Sequence, residues 1–217
     1  MRVLFLASGN GGTMKFLHHA IKVLKLDAQI VGVISDRECG CVEYAINNGI
    51  PTNVFTHWKD ETKEIIKEIA KYNPDIVVTN IYKILSSDIF LCGNATFINL
   101  HYSLLPAFGG VIGFKTLELA QIANTQIIGA TCHYVTEDLD GGRVISQAAI
   151  PVNWNEDYYV IGNKVFRIAC ESILNGILIV SGMIVGESES NGVLYSPKLR
   201  YDNSEFSESF WDMISKL

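Results

Sequence analysis

The chain has 217 residues, of which 48% are hydrophobic and 18% are charged, with a formal net charge of −6. This length supports one large domain with a sizeable core, and no segment is polar or repetitive enough to indicate disorder. The acidic balance argues against a protein that binds phosphate backbones, so we expect no nucleic-acid partner.

Alternating strand and helix signals fill the first third of the chain. Buried strands are predicted at residues 2–7, 29–35, 52–55 and 75–80, and helices at residues 14–26, 41–49 and 60–73. Alternation of this kind is typical of parallel strands with crossover helices on both faces of the sheet.

The pattern changes from residue 96 onward. A short strand at 96–100 and a helix at 113–124 are followed by two strands, 127–135 and 143–152, that only a hairpin-sized loop separates. These two strands are predicted to be antiparallel. A long helix is predicted near 157–180, and a small amphipathic helix near the end of the chain, where the segment FWDMI can pack either on the chain's own helix or on a second copy.

These elements predict an α/β fold: a Rossmann-like, mostly parallel twisted sheet flanked by helices, with a C-terminal antiparallel portion. We expect a catalytic domain at 1–185 and a C-terminal extension at 186–217 that is not an independent domain. The longest apolar segment, residues 173–185, contains two glycines and is shorter than the roughly 20 residues of a membrane span, so it predicts core and no membrane contact.

The cysteines indicate a reducing compartment. Their number is odd and no signal peptide precedes them, which predicts free thiols and a cytoplasmic protein. Cys39 and Cys41 are too close for a standard zinc pair, and no second cysteine or histidine pair completes four ligands, so no metal is predicted. The five are Cys39, Cys41, Cys92, Cys132 and Cys170.

A glycine loop follows the first strand. Gly9, Gly11 and Gly12 lie between that strand and a helix, where free backbone N–H groups favour an anion such as a phosphate. The spacing is not that of a dinucleotide-binding fingerprint, and Asp36 is the only acidic candidate for a ribose contact. A plain tight turn is the alternative interpretation.

Asn99 lies near the end of the strand at 96–100 and His101 follows its last residue, so in an extended chain their side chains lie on one face. An Asn amide can stabilise an oxyanion, and a His can move a proton near neutral pH. A carboxylate from the hairpin loop would orient the imidazole, and Asp140 competes there with Glu137 and Asp138. A purely structural role for His101 is the alternative.

Three linked motifs resemble the folate-dependent formyltransferases, most closely the phosphoribosylglycinamide formyltransferases. They are LASGNGGTMKFL, NLHYSLLPAFGG and GATCHYVTEDLDGGRVISQAAIPV, and the resemblance covers about residues 1–180 in matching order. It implies a seven-stranded Rossmann-like sheet and transfer of a formyl group from 10-formyltetrahydrofolate to a primary amine of a phosphorylated small molecule. A homodimer is one option that the sequence leaves open.

The resemblance also implies the site residues. Asn99, His101 and Asp140 fall on the family's catalytic Asn, His and Asp. The pteridine of the folate would lie against Ile81, Tyr82, Lys83, Ile84 and Leu85 and against the backbone of Val135 to Asp140, including Asp138. The phosphate of the acceptor would contact Gly11, Gly12 and Thr13, and Glu171 would hold its ribose.

Departures from the family motifs fall on the acceptor side. Tyr102 replaces a usual Pro, Gly12 and Thr13 replace a usual Ser-Asn pair, and a usual Arg before the third helix has no clear counterpart. These departures leave the acceptor open: glycinamide ribonucleotide is the first expectation, and a nucleotide-linked amino sugar is the alternative. Methionyl-tRNA is not expected, since enzymes acting on it usually add a basic C-terminal domain. A non-catalytic phosphate-binding Rossmann protein is the remaining alternative.

Overall fold

The computed structural model describes residues 1–90, 93–188 and 192–216 and divides into two compact units. The first unit comprises Met1–Ile98 and Phe206–Leu217, and the second comprises Asn99–Glu205. The predicted domain boundary after residue 185 stays a prediction. Cys92 lies outside the described residues.

The first unit contains a parallel sheet. Its strand order is β3-β2-β1-β4-β5, and every pairing is parallel. The continuous apolar runs of β1 and β2 give strands with the predicted bounds, because both faces of each strand are covered. The strands are β1 (Arg2–Ala7), β2 (Gln29–Ser35), β3 (Thr52–Val54), β4 (Ile76–Asn80) and the first half of β5 (Thr96–His101).

The helices of this unit follow the predicted crossovers, with one addition. Four-residue α4 has no counterpart among the predicted elements, because so short a helix leaves no periodic pattern. The helices are α1 (Gly12–Val23), α2 (Gly40–Asn47), α3 (Thr62–Tyr72), α4 (Ser87–Phe90) and α7 (Glu208–Lys216).

Helix α7 packs on α1 of the same chain through an aromatic cluster. The ring of Phe16 is stacked on Trp211 with centroids 5.2 Å apart. Phe206 and Phe210 meet the same ring edge-on, at 5.2 Å and 5.9 Å. The FWDMI segment therefore contacts the chain's own helix.

The second unit is antiparallel beyond β5. Its strand order is β5-β6-β7-β8, and β7 pairs antiparallel with both β6 and β8. The predicted α/β class with an antiparallel C-terminal portion is confirmed. The elements are the end of β5, α5 (Lys115–Ile122), β6 (Ile127–Tyr134), β7 (Val144–Pro151), α6 (Tyr158–Val180), β8 (Leu194–Ser196) and a 3-10 helix (Asn203–Glu205).

The implied count of seven strands is wrong, since eight strands occur in the described part of the chain. The additional strand is β8, whose three residues pair with the edge of β7. Within the described ranges, no helix is both long and apolar enough to cross a membrane.

Helix α6 covers β6 and fixes the strand that leads into the hairpin loop. Cys132 of β6 is fully buried, and a Cβ atom placed on Gly176 of α6 would lie 2.4 Å from its Sγ atom. The helix can approach the strand this closely only because residue 176 has no side chain.

This close approach gives a matched pair of substitutions on one helix. Gly176→Ala should lower the free energy of unfolding by about 1 to 3 kcal/mol, because the new methyl group overlaps Cys132. Gly162→Ala should raise it by about 0.5 to 1 kcal/mol, because the site has open space and alanine favours the helix. Urea denaturation measures both values, and equal effects would contradict the packing described.

Candidate active site

The end of β5 places two polar side chains on one face of the strand. His101 is 5% exposed, and its Nε2 atom lies 3.0 Å from the backbone carbonyl oxygen of Phe108. Its Nδ1 atom lies 3.3 Å from Oδ2 of Asp140. Each ring nitrogen of His101 therefore faces an acceptor, an arrangement that fits a ring able to carry two protons.

The hairpin loop between β6 and β7 supplies this carboxylate. Gly142 allows the loop to return against β6, since a Cβ atom there would lie 1.7 Å from the carbonyl oxygen of Tyr134. The Gly110 N–H donates to Oδ2 of Asp140 at 2.7 Å. Of the three acidic residues that competed for this role, Asp140 is the partner of His101, whereas Glu137 and Asp138 are exposed.

Two residues of the site adopt a left-handed backbone that side chains disfavour. Phe108 has φ 58° and Asp140 has φ 53°. Such conformations persist where surrounding contacts hold them, and they are concentrated at functional sites. Here the strained residues are the two that face the nitrogens of His101.

The sequence prediction missed His133, which completes the cluster. Its Nε2 atom lies 3.2 Å from Nδ2 of Asn99 and 3.5 Å from Oδ1 of Asp140, and the residue is 2% exposed. Asn99 thus joins the predicted trio through His133. The available sequence signal was strand alternation, which places His133 on the face opposite buried Cys132. In the structure, a register shift between β6 and β7 also falls between these two residues.

Burial and nearby charges shift the pKa of His101, and that of Asp140, in opposite directions. Burial lowers the pKa of His101, and the Asp140 carboxylate opposes this effect without cancelling it. Burial alone would raise the pKa of Asp140, but His133, the Gly110 N–H and His101 together bring it below its ordinary value. The carboxylate is therefore held ionised beside a histidine whose proton is easily lost.

Asp140→Asn should lower the pKa of His101 further, because the substitution removes the charge that favours the imidazolium. An NMR titration of the His101 ring measures the change. The control is Asp138→Asn in the same loop, which should leave the titration of His101 unchanged. A pKa of His101 that stays the same or rises in Asp140→Asn would contradict the ion pair.

The glycine loop lies in the first unit and begins α1. Gly11 has φ 74°, and a Cβ atom there would lie 2.8 Å from the Cβ atom of Cys41, so glycine is required at this position. Gly12 opens the helix, and Thr13 is 3% exposed in its first turn. Backbone N–H groups at such a helix start suit a phosphate. Their contact with an acceptor stays a prediction.

The segment predicted to meet the pteridine follows β4 in the same unit. The Tyr82 N–H donates to Oγ of Ser8 at 2.8 Å, which ties the segment to the glycine loop. Tyr82 and Ile84 are 53% and 81% exposed. Lys83 Nζ lies 3.6 Å from a carboxylate oxygen of buried Asp36. The exposed side chains leave a surface that a ring could cover, and the folate role of residues 81–85, Val135 and Asp138 stays a prediction.

Asp36, the acidic candidate for a ribose contact, is already paired. Its Oδ2 atom lies 2.7 Å from Nη2 of Arg37, and its side chain is 1% exposed. The Arg37 guanidinium in turn lies 5.7 Å from the ring centroid of Tyr82. This carboxylate therefore anchors two cations beside the glycine loop.

Glu171 of α6 is 7% exposed and its carboxylate is engaged by the C-terminal part of the second unit. The Tyr195 hydroxyl donates to Oε2, and Nδ2 of Asn203 donates to Oε1 at 3.4 Å. Burial raises the pKa of Glu171 to about 7, although both hydrogen bonds oppose the rise. Both oxygens are engaged and largely shielded from solvent, and contact with an acceptor ribose stays a prediction.

The raised pKa of Glu171 predicts a pH-dependent stability. The folded chain keeps this proton up to about pH 7, whereas the unfolded chain releases it near 4.5. The stability that this bound proton contributes is therefore fully present below the unfolded-state pKa of 4.5, and it is lost as the pH rises through about 7. Glu171→Gln should show a smaller loss of unfolding free energy between about pH 5 and about pH 8 than the unchanged chain. The exposed substitution Glu137→Gln is the control, and parallel curves for all three proteins would contradict the assignment.

In the parts of the chain described, the cysteines form no disulfide and no metal-binding cluster. Cys39, Cys41, Cys132 and Cys170 are free thiols, and Cys39 immediately precedes the first residue of α2. Over the same ranges, no three His, Cys, Asp or Glu side chains are grouped so that they could hold a metal ion.

Comparisons with known proteins point to one family. A family model described as formyl transferase matches residues 1–175. Phosphoribosylglycinamide formyltransferase of Escherichia coli is 33% identical over 159 residues, which is 70% of this chain and 74% of that protein. The chloroplastic phosphoribosylglycinamide formyltransferase of Vigna unguiculata is 32% identical over 69% of this chain, and the chain spans only 51% of its length.

A solved structure agrees with these sequence matches. The crystal structure of phosphoribosylglycinamide formyltransferase from Anaplasma phagocytophilum superposes with a TM-score of 0.74 and 29% identity. The match covers 88% of this chain and 92% of that one.

Proposed function

The chain belongs to the formyl transferase family, and we propose that it transfers a formyl group from 10-formyltetrahydrofolate to the primary amine of glycinamide ribonucleotide. The observation that carries the proposal is the buried contact of His101 with Asp140, on the residues that match the family's catalytic His and Asp. The names of the similar proteins support the choice of the formyl group and of the acceptor, and the donor is the one that the family resemblance implies.

The proposed reaction needs a group that stabilises negative charge and a group that moves a proton. The acceptor amine attacks the formyl carbon, the carbonyl oxygen becomes an oxyanion, and the bond from carbon to the folate nitrogen then breaks. Asn99 donates an N–H to the oxyanion. Once its Nε2 atom releases the Phe108 carbonyl, His101 carries a proton from the attacking amine to the folate nitrogen, which leaves as a neutral amine.

Asp140 would act on the reaction through His101. A carboxylate beside Nδ1 fixes the ring orientation and stabilises the imidazolium that forms when the ring takes up a proton. Burial favours the neutral ring, so the proton is given up readily afterwards. The opposed effects suit a group that must gain and lose a proton in each turnover.

The acceptor is open to one alternative, an amine on a nucleotide-linked sugar. The observation that favours it is Glu171, the expected ribose ligand, whose carboxylate oxygens already bind Tyr195 and Asn203. In either case, the proposal assigns the phosphate to Gly11, Gly12 and Thr13 and the pteridine to residues 81–85. A cytoplasmic location stays a prediction.

An absorbance assay for tetrahydrofolate release tests the proposal directly. The chain is incubated with 10-formyltetrahydrofolate alone and then with glycinamide ribonucleotide or with dTDP- and UDP-linked amino sugars. A transferase releases tetrahydrofolate only when an acceptor is present. Release without an acceptor would indicate a hydrolase, and no release with any amine would favour a non-catalytic binding protein.

His101→Ala should lower kcat by at least about 10²-fold, because the substitution removes the proton-transfer group. Asp140→Asn should lower it to a similar extent through the loss of the imidazolium partner. Steady-state kinetics measures both effects, and circular dichroism checks that the fold is retained. Wild-type turnover in either folded variant would contradict the assigned roles.

A further inference from the structure

We propose that His133 is a positioning residue that sets the orientation of the Asn99 amide, so that an N–H of Asn99 and not its oxygen faces the reacting carbonyl. The inference rests on the proposed function, in which Asn99 must donate a hydrogen bond. It is carried by three contacts of one buried imidazole in the second unit.

The first contact selects one tautomer of the neutral ring. Nδ1 of His133 lies 3.0 Å from the backbone carbonyl oxygen of Tyr134. A carbonyl oxygen can only accept, so Nδ1 must carry the hydrogen of this bond. In the neutral ring, the second nitrogen, Nε2, is then left as an acceptor.

The second contact transmits this choice to Asn99. Nε2 of His133 lies 3.2 Å from Nδ2 of Asn99, a separation at the long end of the range for hydrogen bonds. An acceptor on His133 selects the amide nitrogen, which donates, over the amide oxygen, which would repel it. Because the amide is planar, binding one N–H also fixes the direction of the other N–H and of the oxygen.

The third contact does not compete strongly for the same nitrogen. Oδ1 of Asp140 is 3.5 Å from Nε2 of His133, which is longer than an ordinary N–H to oxygen hydrogen bond. Oδ2 already accepts the Gly110 N–H and faces Nδ1 of His101. These partners are on Oδ2, and Oδ1 lies too far from Nε2 for an ordinary hydrogen bond, whereas Nδ2 of Asn99 is within range. The proposal therefore assigns the hydrogen bond of Nε2 to Asn99.

Burial makes this orientation selective. His133 is 2% exposed, so water cannot readily replace a lost partner, and an amide turned the wrong way would set two acceptors against each other. In water, the two amide orientations would differ little. In this site, the carbonyl of Tyr134 determines which end of Asn99 faces the reaction.

Two substitutions at position 133 separate the acceptor from the shape of the ring. His133→Phe keeps a ring of similar size but removes the acceptor, so kcat should fall about 10- to 100-fold, somewhat less than the usual effect of deleting an oxyanion donor. His133→Gln offers a side-chain oxygen that can accept from Asn99, so it should recover most of that loss. KM for the acceptor should change little in both variants, because His133 is not assigned to acceptor binding.

A double-mutant cycle tests whether His133 acts through Asn99. In an Asn99→Ala background, His133→Phe should cause little further loss of kcat, since the amide that it orients is absent. Multiplied effects of the two substitutions would overturn the proposal, as would wild-type kcat in folded His133→Phe. Thermal unfolding of each variant excludes loss of folding as the cause.

An NMR measurement on the unliganded chain gives an answer that does not need activity. In protein labelled with ¹⁵N at Asn and His, a scalar coupling across the hydrogen bond should join Nδ2 of Asn99 to Nε2 of His133, and only Nδ1 of His133 should carry a proton. His133→Phe should abolish the coupling. A doubly protonated His133 with no coupling would overturn the proposal, even if formyl transfer is found. If the coupling is present and no amine is formylated, the orientation stands and the proposed function fails.

Discussion

One carboxylate, with only 9% of its side chain exposed, organises the polar cluster of the second unit. Asp140 faces an imidazole through each of its oxygens, and a backbone N–H completes its partners. A buried charge is costly unless it is paired and hydrogen-bonded, so every partner must be held in place by its own element. The end of β5, the end of β6 and the loop around Gly110 supply these partners separately, and the chemistry proposed for His101 depends on all three.

Precise backbone geometry makes this convergence achievable. The hairpin can bring Asp140 back toward β6 only where Gly142 passes the carbonyl of Tyr134, and Asp140 itself adopts a left-handed conformation. These features lie in loops, and the ladder of β6 and β7 beneath them is regular except for the register shift between Cys132 and His133. The arrangement follows the general rule that a rigid scaffold positions functional loops.

Much of the scaffold was predictable, because its signals are local. Continuous apolar runs identified β1 and β2, and alternation placed Asn99 and His101 on one face. The three residues of β8 and the four of α4 are too short for a periodic signal. His133 was missed because a histidine inside a buried strand has no local mark of its role; its partners come from β5 and from the hairpin loop. The engagement of Glu171 by Tyr195 and Asn203 is likewise a long-range contact that spacing does not reveal.

The aromatic cluster between α1 and α7 has a consequence for how the chain is made. Phe16 leaves the ribosome before the second unit does, whereas the rings that cover it, those of Phe206, Phe210 and Trp211, are synthesised only after the whole of that unit. Until then, the apolar face of α1 lacks its final cover. The first unit therefore cannot complete its core when only Met1–Ile98 has been translated. A nascent chain stalled before residue 206 would expose an apolar surface that is covered in the finished protein.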